Sequence, residues 1–533
     1  MIFMQGILSL SVLLMICLQV LPAQSATYYI SPTGSDTNPG TSARPWLTFA
    51  YAINPSRATC GDTLVLRDGT YGDGTSTGKI LVSALVCTQG SPFTIQAENQ
   101  RKAKIVDNGI GKAVNVVDSA FIVVDGLYAR STDNNATTTG GPFIANRSAD
   151  IMLKNLVGRN PNRYANAHVF AIENSNRVLI EDSEGYVFHR HCVEAWKSSQ
   201  VVARRIYCNP RGGRIPGGFA AKNGIGLADA VMTMYPCRDC IQENNIADGT
   251  TNGLYLNEMN ATFGGGVLMS GSKVLGSICY KCNYGNGIYL NSRNNAGLNY
   301  TPHNITVRDV AFIDHDTYGM AVRVSDGVNI VLDHLTGLSD PAVGIIQNGI
   351  ITDDNPGKGT MAADNSITVT NTLMAGYSSF GFRMSGFDTW IVDRTISHQN
   401  GRAFSPSSTS SSPTRTLSNT MTTSTHNMGT CKVWVPDGAS GKGKGIGGSD
   451  IGATILYRYV NGVLTTVPLW DPRTGEFPYG AEDADGTNRV PGESLFDIHK
   501  RLNVNTGGCS FPKNYGDGNS DTKGPASPVL RIF

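Results

Sequence analysis

Charge is scarce and evenly split in this chain: 43 Lys and Arg stand against 42 Asp and Glu in 533 residues, and charged side chains make up only 16%. A net charge of +1 gives no global field to draw nucleic acid or an acidic membrane, so any grip on a charged polymer must come from a local cluster. Long apolar runs are also missing. Past the first two dozen residues nothing approaches the ~18 consecutive apolar residues of a membrane span. Between the repeated segments of the chain no 3.6-residue apolar period is found, which argues against a helical enzyme. Glycine, in contrast, is plentiful at 61 residues, and with 40% hydrophobic content it points to a turn-rich β protein.

The order in the chain lies in a repeat. Between about Arg177 and Asp393 an apolar/polar alternation restarts at Val178 (VLIED), Ile305 (ITVRD), Ile330 (IVLDH) and Ile367 (ITVTN). In the last three a Gly follows fourteen residues later, at Gly319, Gly344 and Gly381, and opens a second run: GMAVR, GIIQN and GFRMS. NGLYLN (252–257) and NGIYLN (286–291) are the same second run in earlier turns. Short period-2 strands, Asn/Asp/Gly corners and a restart every 23 to 40 residues describe stacked coils rather than one globular core. The expected fold is all-β: a single-stranded right-handed parallel β-helix in which each strand pairs with its equivalent one coil on.

Residues 1–25 read as a secretory signal, with a mostly apolar Ile7–Leu21 and small residues at Ala23-Gln24-Ser25, although MIFMQG lacks Lys and Arg. The expected location is therefore outside the cytoplasm: secreted, periplasmic or on the cell surface. Removing Cys17 leaves ten cysteines: Cys60, Cys87, Cys192, Cys208, Cys237, Cys240, Cys279, Cys282, Cys431 and Cys509. An even number in an oxidising compartment favours disulfides. Cys60 with Cys87 and Cys431 with Cys509 are pairs by proximity, but connectivity is not deducible. The two C-x-x-C pairs, 237/240 and 279/282, also admit zinc, with 38 residues between them.

The chain divides into a signal (1–25), an N-terminal cap with first coils (26–92), the β-helix (93–400), a Ser/Thr-rich linker or loop (401–428) and a C-terminal segment (429–533). The segment from TYYISPTGSDTNPG through Trp46–Ile53, read as a short amphipathic helix, to CGDTLVLRDGTY resembles the entry of secreted right-handed β-helix proteins of the pectate-lyase-like superfamily, polysaccharide lyases among them. There a strand and helix plug the open end of the coil, which would otherwise be a naked sheet edge. Asp36, Asn38 and Asp68 are read as turn formers before calcium ligands. ILYRYV-NG-VLTTV (455–467) predicts a hairpin turning at Asn461-Gly462. With IGATILYRY and PLW it resembles the tail of uncharacterised bacterial secreted β-helix proteins, which implies no activity.

Stacked coils turn equal offsets into ladders. Registering the second runs on the Gly, with Cys192 as its equivalent, points Val193/Ala195, Leu254/Leu256, Ile288/Leu290, Met320/Val322, Ile345/Gln347 and Phe382/Met384 inward. The outward ladder then reads Glu194, Tyr255, Tyr289, Ala321, Ile346 and Arg383, beside Trp196, Asn257, Asn291, Arg323, Asn348 and Ser385. Aromatic rings stack on sugars and guanidinium groups fork carboxylates, so Trp196, Tyr255, Tyr289, Arg323 and Arg383 are candidate substrate-binding residues, with plain surface packing the alternative.

The coil His189-Arg190-His191-Cys192-Val193-Glu194-Ala195-Trp196-Lys197 is the richest in titratable groups. Eliminating across a uronic acid needs a group to neutralise the carboxylate and a base beside it. Lys197 as base, Arg204 or Arg205 as helper and Glu194 nearby are the candidate catalytic set, with surface ion pairing the alternative. E-A-W-K-S is similar to the glutamate-then-lysine-serine stretch of alginate and chondroitin lyases of the β-helix type, but Cys192 and Arg190 stand where those carry calcium-binding acids. Calcium is thus the one cofactor the reading admits, with none assigned. Asp314 and Asp316 are weaker metal candidates, since alternate residues of a strand share a face. The paired-aspartate and Gly-His-Gly pattern of polygalacturonases is missing. The expected partner is an acidic polysaccharide, bound by a monomer; a non-catalytic adhesin or matrix protein is the alternative.

Overall fold

The computed structural model describes residues 25–72, 79–107, 112–131, 141–159, 168–186, 188, 190–210, 230–249, 252–257, 269–282, 286–291, 301–315, 320–339, 347–353, 364–406, 414–425, 431–470 and 515. The signal segment and Cys509 lie outside them. Thirty-three strands join in one continuous set of parallel pairings, each to its equivalent a coil away. This is the parallel β-helix.

Each full coil contributes to three faces. The first sheet runs from Ile80–Ser83 to Arg402–Pro406. The second runs from Thr27–Ile30 to Thr414–Ser418. The third begins at Gly69–Tyr71 and ends in the second half of Thr389–His398. The solenoid therefore continues past residue 400: two strands of the Ser/Thr-rich stretch pair onto Phe380–Met384 and Thr389–His398.

Corners explain the polar punctuation. Between the second and third sheets one residue per coil takes a left-handed conformation, among them Asn155, Asp182, Asn244, Asp309 and Asn371 at φ 47–55°. Asn and Asp tolerate that conformation better than β-branched residues. Between the first and second sheets Asp118, Arg147, Asn174 and Lys197 do the same at φ 48–50°, each followed by a serine. Those serines form an internal ladder. The backbone N–H groups of Ser119, Ser148 and Ser175 each donate to the serine Oγ one coil on, at 3.0–3.2 Å. The hydroxyls of Ser119, Ser148, Ser175 and Ser198 donate to the carbonyl two residues back, at 2.7–2.9 Å. The corner thus keeps its buried polar groups satisfied without water.

The inward positions fill the coil, with Phe143 stacked on Phe170 and Phe382 on Phe404. Two registers differ from the sequence expectation. Asn286, Met320, Asn348 and Phe380 are partners, so Gly287, Ala321, Gly349 and Gly381 share one column. The glycine that matters in that coil is Gly349 and not Gly344. An added Cβ there would collide with the Gly381 carbonyl oxygen, so glycine alone fits without a backbone shift. Ala321 is consequently buried in the core rather than outward, Met320 and Gln347 are not among the inward pairs of the strand, and Ile351 takes the outward place expected of Ile346. Ile345 and Ile346 themselves lie outside the described residues.

The N-terminal end and one flank are covered. The N-terminal helix is a single turn, Phe49–Ala52, capped by the Thr48 hydroxyl accepting from the Tyr51 N–H at 3.2 Å. Asp36 accepts from the Leu47 and Thr48 amides and the Thr48 hydroxyl, and Asp68 from Asn99, which gives these acids turn-binding roles. Along the third sheet's outer face Tyr128, Tyr186, Tyr207 and Ile278 pack under Trp434, Ile455, Leu456 and Trp470 of the C-terminal segment. Tyr457–Val460 and Val463–Pro468 form the expected antiparallel hairpin, turning at Asn461 (φ 52°) and Gly462 (φ 81°). Disulfides join Cys60 to Cys87, Cys192 to Cys208, Cys237 to Cys240 and Cys279 to Cys282. The C-x-x-C pairs are thereby removed as zinc ligands; Cys431 is also disulfide-bonded.

Candidate functional site

The first sheet brings several titratable side chains together because its strands stack in register. His168 pairs with His191, Ala171 with Glu194 and Glu173 with Trp196, one coil apart. The imidazoles of His168 and His191 stack at 4.9 Å with a 17° interplanar angle, close to the ~4.8 Å spacing of neighbouring strands. Tyr235, one further coil on, is Trp196's partner and tilts against His191 at 5.6 Å.

Glu194 binds this group together. Its Oε2 lies 2.8 Å from His168 Nε2, and its Oε1 lies 3.5 Å from His191 Nδ1. All three side chains are buried, at 3%, 1% and 10% exposure for His168, His191 and Glu194. Burial opposes ionisation of Glu194, but the two histidines outweigh it and hold the carboxyl well below the usual range. Burial pushes His168 down, against the pull of Glu194 beside its Nε2. Glu173 responds in the opposite direction. Burial first, and then the charge on Glu194, raise its carboxyl above the usual range. Two carboxyls on adjacent coils are thus driven apart in acidity, the pattern that separates proton donors from fixed charges.

Trp196 and Lys197 stand beside them. Lys197 turns the corner at φ 49° with its Nζ 4.5 Å from the centre of the Trp196 ring. It lies at the end of an open groove along the corner lined by Asp118, Arg147, Ser148, Asn174 and Ser199. Farther along the face, Tyr289, Arg323, Ile351 and Arg383 form one row. The Arg323 guanidinium sits 5.2 Å from the Tyr289 ring centre and pairs with Asp353 at 2.6 Å. Tyr289 is buried, at 9% exposure, so its ring is no open platform, while Arg383 is exposed. The backbone of Tyr255 falls in the same row, a coil from Thr233; its side chain lies outside the described residues.

Arg204 and Arg205 do not join Lys197. They sit at the second-to-third corner, each 6% exposed. Arg204 pairs with Glu181 at 2.7 Å and donates to Asn461 of the hairpin at 3.2 Å; Arg205 pairs with Asp182 at 2.6 Å. Buried and saturated, they hold coils and hairpin together, which corrects the expectation that they assist a base. Asp314, at φ 53°, pairs with Lys432 of the C-terminal segment at 3.2 Å; Asp316 lies outside the described residues.

Sequence reasoning missed His168 and Glu173. The signal was present: HVFAIE (168–173) repeats as HCVEAW (191–196) one coil later. The Asn-rich GRNPNRYANA (158–167) just before it interrupts the alternation and hides that alignment.

The fold class rests on the pairing register itself. No family model matches the chain. Bacillus subtilis uncharacterized protein YwoF is 28% identical over 134 residues, which is 24% of this chain and 27% of that protein, so the chain spans little of its length. Among solved structures, the catalytic unit of a GH87 α-1,3-glucanase from Streptomyces thermodiastaticus is similar at TM-score 0.47 and 12% identity, over 76% of this chain and 70% of that one. Pectate lyase Pel9A is similar at TM-score 0.37 and 14% identity, over 80% and 96%. The A-module of Azotobacter vinelandii mannuronan C-5 epimerase AlgE6 is similar at TM-score 0.43 and 12% identity, over 68% and 91%.

Proposed function

We propose that the chain acts outside the cytoplasm on an acidic polysaccharide laid along the outer face of the first sheet, and cleaves it by β-elimination. The observation that carries this reading is the buried ionisable cluster on that face. Apolar side chains would cover a sheet as well, and burying three titratable groups costs stability that packing alone does not require. From the Glu194 row to Arg383 there are six inter-coil steps of ~4.8 Å, about 29 Å, which suits a chain of sugars rather than a monosaccharide.

In this reading Lys197 takes the proton from the carbon beside the uronate carboxylate. The electron pair forms a carbon–carbon double bond as the glycosidic C–O bond breaks. Glu173, whose carboxyl burial and the Glu194 charge raise above the usual range, gives its proton to the departing oxygen. Trp196 offers a stacking surface beside Glu173, and Arg383 a contact for an acidic group farther along.

A second reading, a binding or structural protein without catalysis, is favoured by one observation. Lys197 is already seated on Trp196 and Arg323 on Asp353. Incubation with alginate, pectate and chondroitin, read as ultraviolet absorbance of new unsaturated ends, separates the two. Turnover lost in Glu173→Gln and Lys197→Ala, with oligosaccharide binding retained, supports the lyase. Binding without turnover across the panel supports the second reading, and neither binding nor turnover sinks both.

A further inference from the structure

We propose that His168, His191 and Glu194 form a divalent transition-metal site, with zinc the preferred ion. The inference concerns the same cluster that supports the polysaccharide reading, but it is argued from the donor set and tested without any turnover. One ligand atom from each of the three residues falls within 4.8 Å of the others. Tetrahedral coordination at zinc bond lengths places donors about 3.3 Å apart. His168 Nε2 stands 2.8 Å from Glu194 Oε2 and His191 Nδ1 stands 3.5 Å from Glu194 Oε1, so each imidazole already meets one oxygen of the same carboxylate. Side-chain rotation would have to draw the donors from within 4.8 Å of one another to the tetrahedral spacing around an ion.

The chemistry of the set is selective. Two imidazoles and one carboxylate are the ligands of catalytic zinc, which keeps a fourth position for water or substrate. An all-oxygen cage, as calcium prefers, is a different donor set. The scaffold also fixes the group in advance. His168 and His191 occupy equivalent positions of adjacent coils, so the scaffold holds both imidazoles beside Glu194. Cys192, next to His191, is tied across the interior to Cys208, which anchors the start of the His191 strand. Tyr235 packs against the His191 ring from the following coil. Burial of the cluster also favours retention, because an ion bound there is shielded from competing water.

The test uses the full chain with its disulfides intact, stripped with chelator and then dialysed against zinc. The expected result is one zinc per chain by elemental analysis. Cobalt(II) added to the stripped wild-type protein should give visible d–d bands that zinc displaces. His168→Ala and His191→Ala should each weaken zinc binding by more than the ~10–100-fold that loss of an outer-shell partner costs. The cobalt spectrum of the wild type needs no variant to fold. Absence of both stoichiometric zinc and cobalt bands overturns the proposal, as do histidine variants that bind zinc with unchanged affinity. No readout depends on turnover, so failure of the lyase reading leaves this result independent.

Discussion

Asp333 provides a direct measure of how one charged corner holds neighbouring coils together. It lies outward on the second sheet, in register between Arg308 of the preceding coil and Thr370 of the next. Its carboxylate accepts from the Thr370 hydroxyl and the Asn371 amide, both at 2.8 Å, and lies 2.9 Å from His334 Nδ1 and 3.4 Å from Arg308 Nε. Burial works against ionisation, yet His334 and these hydrogen bonds win and bring the carboxyl down from 3.8 to about 2. At ~1.4 kcal/mol per pH unit the shift is worth a little over ~2 kcal/mol, and water reaching the group reduces it to about 1–2 kcal/mol. The sign follows from the lowered folded value. The contribution is complete above the unfolded pKa of about 4 and is lost as pH falls toward about 2. Asp333→Asn should therefore raise the opening rate constant ratio of this coil about 5–30-fold near neutral pH, read by amide hydrogen exchange over residues 330–338. Hydrogen exchange suits a solenoid, whose coils need not open as one unit. At about pH 2 variant and wild type should converge. A deficit of equal size at both pH values, or none at neutral pH, would refute the electrostatic account.

Two further changes test the scaffold. Replacing Cys192 and Cys208 together with Ala should cost about 3 kcal/mol, the figure for a closed loop of similar length to their separation of 16 residues. The loss should appear as a lower urea midpoint and as faster exchange at the start of the His191 strand, and an unchanged midpoint would show that the bridge adds nothing. Glu243→Ala removes the carboxylate that accepts from the Asn461 and Gly462 amides at 3.0 Å each. Leaving the hairpin turn uncapped and Arg204 with one acid fewer should cost about 3 kcal/mol and speed limited proteolysis within residues 457–468; equal cleavage of variant and wild type would show that the hairpin is held elsewhere.

The fold was legible because a solenoid writes its hydrogen bonding into its repeat. ITVRD, IVLDH and ITVTN fall on the second sheet in mutual register, as their sequence alignment requires. Their last residues, Asp309, His334 and Asn371, all occupy the same left-handed corner. The hairpin was legible for a local reason as well: Asn461-Gly462 supplies two residues that accept positive φ. Where the reading slipped, insert length was the cause. A fixed fourteen-residue offset put Gly344 where Gly349 stands, since loops between sheets vary in length while the small-residue column does not. A column must satisfy its neighbours' backbone, whereas a loop satisfies only its own ends.

The site was harder to read because its parts come from different coils and its charges take different roles by environment. Glu194 and Arg204 both lie on His191–Arg204, yet one belongs to the first sheet's outer face and the other to the second sheet's end, where Glu181 claims it. In sequence they are ten residues apart and look like one cluster. The corner at Lys197 turns the chain between them and divides the cluster in two. His168, by contrast, is 23 residues before His191 in sequence and stacks directly upon it. Proximity along a β-helix is therefore measured in coils. Residues one coil apart at equal offset are neighbours, and residues on either side of a corner are not, however close they stand in the chain. By that measure the neighbours on this face are His168, Glu173, His191, Glu194 and Trp196, with Lys197 at the adjoining corner.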